Sequence, residues 1–509
     1  EGGAPQGATE EALATVWKEV LKAERVGRDD NFFELGGDSI LVLQVIARSR
    51  KRGVRFTPKQ LFDAPTLAQL ACVATTVDAA APATHAMAST VKAQAVSSQT
   101  EQATTLTPAQ LRFFALDIAQ RGHWNQSIEL DAEAPFDSDA FARAFDTLLT
   151  HHEIFRHRFA PSGPSGEWQL TFAPRAFETL PLAVACAGDE NDALAQFDAL
   201  QSTLDLTHGP LVCALAALLP DGTTRLYLAI HHLIVDGVSW RALLDDLDAA
   251  YRAARERRTV RLASTGTRAQ DWAARLARAA LDVTNSPFAA EVPYWAALTA
   301  PYDDLPLDHP QARATNADAQ TVIQTIGADL TRAALTEANA AYRTQMLELL
   351  IAALAQSLGL PRCRIELEGH GREALFDDVD VSRTPGWLTS HYPLQFTVES
   401  TPAATLGVVK DALRAVPNKG LGFGVLRHYG DATVRAALAA VPRPRVTFNY
   451  LGQFDASREA ALVPRFGGVG CERDPAGPIG NALAIHAYVD GDTARTLKIH
   501  WVYGATQFE

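Results

Sequence analysis

Two short runs hold residue types able to do chemistry. His231-His232-Leu233-Ile234-Val235-Asp236-Gly237-Val238-Ser239-Trp240 brings two imidazoles and a carboxylate together ahead of a Gly. Imidazole titrates near neutrality, so such a histidine can move protons. A His/Asp set can also bind a metal, although no third ligand stands nearby at helical spacing. A packed histidine pair is the third reading, and the run alone leaves all three open. His151-His152 repeats the dipeptide without the Asp-Gly turn and reads as the end of an element. The second run, Gly36-Gly37-Asp38-Ser39, leaves one hydroxyl where a loop becomes a helix. The glycines permit a tight turn. The serine then either caps the helix or carries a phosphate in the field of its N-terminus. No His–Asp partners surround it, so a hydrolytic nucleophile is not indicated.

The elements that must hold these groups follow from periodicity. Leu226–Ile230 is a buried-strand run ending at His231, and alternation sends His231 and His232 to opposite faces. After Ser239, Trp240, Leu243, Leu244, Leu247 and Tyr251 share one helical face, so Asp236-Gly237 lies in a strand-to-helix turn. Further strand-like runs are Ile365–Glu368, Leu394–Val398, Arg445–Tyr450 and Leu497–Tyr503; helical runs are Ala140–Leu149, Trp240–Arg255 and Leu330–Leu358. This mixture predicts α/β layers in two lobes, 106–290 and 291–509. Residues 8–76 read instead as a small all-α four-helix bundle. Leu13, Val16, Trp17, Val20 and Leu21 form one stripe, and a second helix opens at Ser39, turns Leu43 and Ile46 inward and ends at Gly53. Shorter helices follow at Lys59–Phe62 and Leu67–Val73. The Ala/Thr/Ser/Gln-rich stretch 77–105 lacks any apolar period and is a linker, with a coil reach of roughly 30 Å.

Composition narrows the classes. The chain has 509 residues, 59 acidic against 46 basic, and a net charge of −13, which disfavours nucleic acid as a partner. Arg48–Arg52 is a local basic run, read as a solvated helix face. No stretch approaches about 18 uninterrupted apolar residues, so no membrane span is expected. Five scattered cysteines form no CxxC pair, which indicates neither zinc nor a disulfide framework and places the chain in reducing cytoplasm. Gly420, Gly422 and Gly424 do not have dinucleotide or P-loop spacing, so a nucleotide is not indicated. The chain opens at Glu1 without a leader and reads as a piece of something longer.

Residues 29–40, Asp-Asp-Asn-Phe-Phe-Glu-Leu-Gly-Gly-Asp-Ser-Ile, together with Leu61-Phe62-Asp63-Ala64-Pro65-Thr66, resemble the peptidyl carrier domains of nonribosomal peptide synthetases. The resemblance implies 4′-phosphopantetheine on Ser39, and the Asp38 form resembles carriers paired with epimerization domains. His231–Trp240 resembles the HHxxxDGxSW motif of the condensation-domain superfamily. Glu368-Gly369-His370-Gly371-Arg372-Glu373, Arg383–Pro393, Pro417–Gly424 and Phe448-Asn449-Tyr450-Leu451-Gly452-Gln453-Phe454-Asp455 resemble its epimerization branch. That implies two chloramphenicol-acetyltransferase-like lobes with His232 and Glu368 facing each other, inverting Cα of an L-aminoacyl or peptidyl thioester. A thioester acidifies its Cα–H; one group takes the proton and another returns one to the opposite face. His231, Asp236, Gly237, Asn449 and Tyr450 are expected in support. Asp236 is expected to brace its turn through an arginine, His370 and Glu373 to act as scaffolding, and Tyr450 either to face the enolate or to pack. Implied partners are the chain's own carrier-bound substrate, a phosphopantetheinyl transferase, an upstream adenylation domain and a downstream D-selective condensation domain. Three departures stand out: Arg112 replaces a usual Trp, Phe423 a usual Tyr, and the chain ends at Glu509 where relatives continue into a terminal helix, as if trimmed. The rival readings are a peptide-bond-forming condensation domain and a noncatalytic module that only docks carriers.

Overall fold

The computed structural model describes residues 3–21, 23–37, 39–76, 104–132, 135–163, 166–282, 285–454, 460–465, 468–491 and 495–509. Asp38, Asp455 and the linker up to residue 103 lie outside them, as do the side chains of Ser39 and Leu43. The chain divides into two compact units. One is Glu1–Ala103 with Arg332–Leu349; the other is Thr104–Thr331 with Leu350–Glu509.

In the first unit, helix Gly7–Leu21 buries the expected stripe of Leu13, Val16, Trp17, Val20 and Leu21. Helix Ser39–Lys51 supplies Leu41, Val42, Val45 and Ile46 to the same core, and Phe32 meets Trp17 edge-on at 5.1 Å between ring centroids. The short helices Pro58–Asp63 and Leu67–Val73 each start at a threonine, Thr57 and Thr66, whose side chain bonds a backbone N–H inside the first turn. A two-residue antiparallel ladder, Val54–Arg55 with Thr75–Thr76, ties the last helix back. Gly37 is required by packing: a Cβ there would lie 2.3 Å from the Phe32 ring.

The continuous helix expected over Leu330–Leu358 is broken. Ala328–Ala333 passes into a wider turn at Ala334–Ala338 and then Asn339–Tyr342; Arg343 takes a left-handed conformation (φ 52°), and a new helix runs Met346–Leu358. The cause is local. The Thr344 N–H returns to the Asn339 carbonyl (3.0 Å), its hydroxyl bonds the Asn339 side chain (3.1 Å), and Glu348 caps the Gln345 N–H (2.8 Å). An apolar period cannot report such side-chain caps.

The second unit is built on two sheets. The five-stranded sheet runs Leu462–Arg465, Asn125–Ala132, Thr224–His231, Val212–Leu218, Leu182–Cys186. Helices Ser138–His151 and Gly237–Arg255 share its core through Phe141, Phe145, Leu148, Leu243, Leu247 and Tyr251. The six-stranded sheet runs Ser390–Thr397, Arg362–Gly369, Val446–Phe454, Leu483–Asp490, Thr496–Gly504, Ala319–Ile326. The strand-like runs of the sequence all fall on these strands, with Val398 and Arg445 just beyond the strand ends. Strand Leu462–Arg465, from the C-terminal half of the chain, joins the first sheet by pairing with Glu129–Ala132, so the two sheets share one piece of chain. Among the described residues, no helix is long and apolar enough to cross a membrane.

Candidate active site

His231 is the last residue of strand Thr224–His231 and His232 lies beyond it, so the strand end, not alternation within it, gives the two imidazoles different surroundings. His231 is fully buried. Its Nε2 lies 2.7 Å from the Arg121 carbonyl, which can only accept, and its Nδ1 receives the Leu233 N–H at 3.1 Å. Both nitrogens are used internally, and burial lowers its pKa to about 3, so His231 is a neutral structural group. His232 opens a short 3-10 turn. Its Nδ1 lies 2.8 Å from the Val235 carbonyl and must donate, which leaves the lone pair on Nε2. Gln126 stands 3.2 Å from that Nε2. Its amide orientation is fixed because the Trp240 indole N–H donates to Gln126 Oε1 at 2.9 Å, so the amide NH₂ faces His232. The imidazole also stacks on Trp387 at 4.0 Å. Burial lowers its pKa to about 4, against the opposing pull of the Val235 carbonyl. His232 therefore presents a neutral, oriented basic nitrogen.

Asp236 is the brace the sequence implied, and its arginine is Arg372. The carboxylate caps helix Gly237–Arg255 through the Ser239 N–H (2.9 Å) and hydroxyl (2.7 Å). It receives both Arg372 amino groups at 2.9 Å and the Leu388 N–H at 3.0 Å. The Arg372 and Asp236 side chains are 0% and 2% exposed, so this buried two-pronged pair ties the histidine turn to the 370–388 segment. Gly237 is exposed and a Cβ there would meet nothing, so nothing in the geometry demands a glycine.

Glu368 sits at the end of strand Arg362–Gly369, opposite His391 in the antiparallel register. Asn449, from the neighbouring parallel strand, donates to its Oε2 at 2.6 Å. His391 Nε2 is 3.8 Å from Oε1, too far for a hydrogen bond, and burial beside Arg112 holds that imidazole neutral. Burial, reinforced by the Glu366 carboxylate, raises the Glu368 pKa to about 7, while Arg112, Arg473 and Arg443 oppose the rise. Glu366, two residues back on the same strand face, has the reverse fate. Arg112 grips it at 2.6 and 2.8 Å, Arg443 adds a contact at 3.2 Å, and its carboxyl is held well below the usual range. Arg112, where a Trp was expected, is thus one half of a buried ion pair. Tyr450 follows Asn449 and alternates to the other face of the strand.

His370 and Glu373, expected as scaffolding, lie against Arg372 and each other. His370 Nδ1 accepts the Arg372 N–H (3.0 Å), and its Nε2 is 3.4 Å from Glu373. Gly371 (φ 67°) has no alternative, because a Cβ would fall 1.6 Å from the Leu388 carbonyl oxygen. The glycine run is part turn and part helix. A turn at Pro417–Gly420 enters helix Leu421–Tyr429, where Gly422 admits the buried Glu291 carboxylate and Gly420 the Tyr392 ring. His151 ends helix Ser138–His151 and His152 caps it. With Asp246 they lie within metal-ligating distance, but both Asp246 oxygens are already taken, by His152 (3.1 Å) and Arg383 (2.8 Å).

One residue carried no motif. Arg473 lies in a segment that bridges Trp124 and stacks its guanidinium on that indole at 4.2 Å. The Trp124 carbonyl accepts the His232 N–H (2.9 Å), so the cation stands beside the histidine turn. Its charge lowers the pKa of both His232 and Glu368, and no carboxylate lies within ion-pair distance of it among the described residues. A half-buried guanidinium acting on both groups, with no side-chain hydrogen bond among the described residues, is suited to a developing negative charge.

The phosphopantetheine attachment site model matches residues 11–71, and the condensation domain model matches residues 100–509. The chain belongs to the condensation-domain family. Its condensation-type unit shares 30% identity with the crystal structure of the epimerization domain from the third module of tyrocidine synthetase B, over 80% of this chain and 93% of that one, with a TM-score of 0.72. The X-domain from teicoplanin biosynthesis shares the fold (TM-score 0.65, 21% identity, 81% and 92% covered). Among curated relatives, chondramide synthase cmdD of Chondromyces crocatus is 35% identical over 98% of this chain, and tyrocidine synthase 2 of Brevibacillus parabrevis 34% identical over 89%. The chain spans only 13% and 12% of those two proteins. This is a carrier domain followed by a condensation-type domain of a nonribosomal peptide synthetase, and the carrier implies covalent 4′-phosphopantetheine.

Proposed function

We propose that the condensation-type unit inverts the Cα of an L-aminoacyl or peptidyl thioester carried on Ser39. The observation that carries this reading is Glu368, a carboxyl raised to about 7, together with the neutral His232: the charge of Arg473 acts on both, and His391, 3.8 Å from Glu368, feels His232 in turn. A carboxyl poised near working pH has a task in chemistry that moves two protons, one off each face of a carbon. The cofactor holds the acyl group as a thioester and so acidifies its Cα–H. Ser39 fits its attachment, because it is the first residue of helix Ser39–Lys51, and the positive end of a helix dipole favours a phosphodiester.

Between about pH 4 and pH 7 the pair holds one proton, and that proton sits on Glu368. His232 Nε2 is then the ready acceptor, displacing its hydrogen bond from Gln126, and Glu368 the ready donor. Reversal exchanges these roles, so the product approaches an L/D mixture, which a D-selective acceptor downstream resolves. The negative charge that develops on the thioester carbonyl oxygen is met by Arg473. Asn449 holds the Glu368 carboxyl in place, and Asp236–Arg372 holds the turn that aims His232. The upstream adenylation domain and the phosphopantetheinyl transferase supply the loaded arm.

The test loads Ser39 with a panel of L-aminoacyl-pantetheine arms in D₂O and follows Cα deuterium and the D fraction. Uptake with a mixed product is expected, and Glu368→Gln should abolish it. Exchange at an unchanged rate in that variant would remove Glu368 from the mechanism.

A further inference from the structure

A cavity of about 210 Å³ opens against Glu366 and His391 in the condensation-type unit. Its apolar wall is made by Trp272, Leu276, Leu421 and Phe423. Two features connect it to the reacting centre. Glu366 lines it and shares a strand face with Glu368, and His391, which also lines it, is 3.8 Å from the Glu368 carboxyl. A Cα placed against Glu368 therefore has this cavity next to it.

The charges of the wall do not balance. Arg112, Arg427 and Arg443 all line it, against the single carboxylate of Glu366. Arg112 and Arg443 both spend their charge on that carboxylate. Arg427 spends none: its guanidinium donates to the Leu438 carbonyl and lies 5.9 Å from the Phe423 ring centroid, with no carboxylate within ion-pair distance among the described residues. The remaining titratable groups of the wall, His391 and His428, are kept neutral by burial. Three cations and one anion leave an excess of two positive charges on a largely apolar wall, at low local dielectric. Such a wall favours an anion that brings its own carboxylate to Arg427.

We infer that this cavity receives the side chain of the carrier-bound amino acid and selects an acidic one, aspartyl or glutamyl, with Arg427 as its carboxylate partner. The inference rests on the epimerization reading above and adds a substrate class to it. Arg112 is held by Glu366 at 2.6 Å, and Arg443, 43% exposed, is the more solvent-exposed of the two.

The experiment compares near-isosteric pairs on the full holo chain: Ser39 loaded with L-Asp against L-Asn, and L-Glu against L-Gln, with L-Leu as an apolar reference. The initial rate of Cα deuterium uptake is read for each. The acid of at least one pair should exchange about tenfold or more faster than its amide, as a charge-assisted contact absent from the amide requires. In Arg427→Met that ratio should collapse to within about threefold, and in Arg427→Lys it should largely return. Exchange of all five at comparable rates, or a ratio untouched by Arg427→Met, overturns the pocket assignment and leaves the epimerization reading standing. Absence of exchange with every verified arm overturns both.

Discussion

If Glu368 moves the proton as proposed, replacing Arg112 by methionine should make exchange faster at alkaline pH, an unusual direction for a change beside such a carboxyl. Arg112 contacts Glu366 at 2.6 Å, and its charge is among those that hold the Glu368 pKa down. Two strand residues on one face are about 6.6 Å apart, which puts the guanidinium about 8 Å from Glu368. At an effective dielectric of about 20, a unit charge at that distance is worth about 2 kcal/mol, or about 1.5 pKa units. Salt with a Debye length of about 10 Å reduces this to about one unit. The sign follows from the single-proton pair. Glu368 must be protonated to donate, so activity falls as pH rises through its pKa of about 7. Removing the cation destabilises the carboxylate, raises that pKa to about 8 and moves the alkaline limb up. At pH 8 the protonated fraction goes from about a tenth to about a half, so uptake should be about fivefold faster, with little change at pH 6. Glu366→Gln should act oppositely, because it removes a like charge and frees two arginines, and should pull the limb below 7. Deuterium uptake between pH 5 and 9 for the wild type and both variants reads this directly. Limbs that stay together, or move in one direction for both variants, refute the electrostatic account of Glu368.

Two further outcomes follow from the site. Arg473→Met should slow exchange by about 10²–10³-fold, the scale of losing one donor to a developing oxyanion, while Arg473→Lys recovers part of it; single-turnover uptake on loaded protein measures this, and equal rates for Met and wild type would exclude a role for that cation. Asp236→Ala should cost about 3–5 kcal/mol by leaving Arg372 buried and uncompensated, read as a lowered urea midpoint of the condensation-type unit. An unshifted midpoint with lost exchange would instead place Asp236 in the chemistry.

What the sequence could reveal depended on whether a residue's task shows in its neighbours along the chain. Strand ends, the turn before Trp240 and the helical stripe of Leu13–Leu21 are written in periods of two and three to four residues, and the structure places each of them as those periods require. His232 and Glu368 were named only through family resemblance, because they are 136 residues apart (368 − 232) and no local pattern relates them. The helix over 330–358 failed for the complementary reason: Asn339, Thr344 and Glu348 break it with side-chain bonds that leave the apolar period untouched. Arg112 and Arg473 are the most instructive cases. Each is a single cation, Arg112 marked in the sequence only as a departure from a usual Trp and Arg473 not marked at all, and each acquires meaning from a partner more than 200 residues away: Glu366 for Arg112, and Trp124 for Arg473. Both act on Glu368 through space, and charge reaches across a fold where sequence spacing cannot. The pKa of that carboxyl is therefore a property of the assembled sheet and its crossing segment. A change of charge at residue 112 or 473 shifts the pKa of the Glu368 carboxyl without touching the motif that contains it.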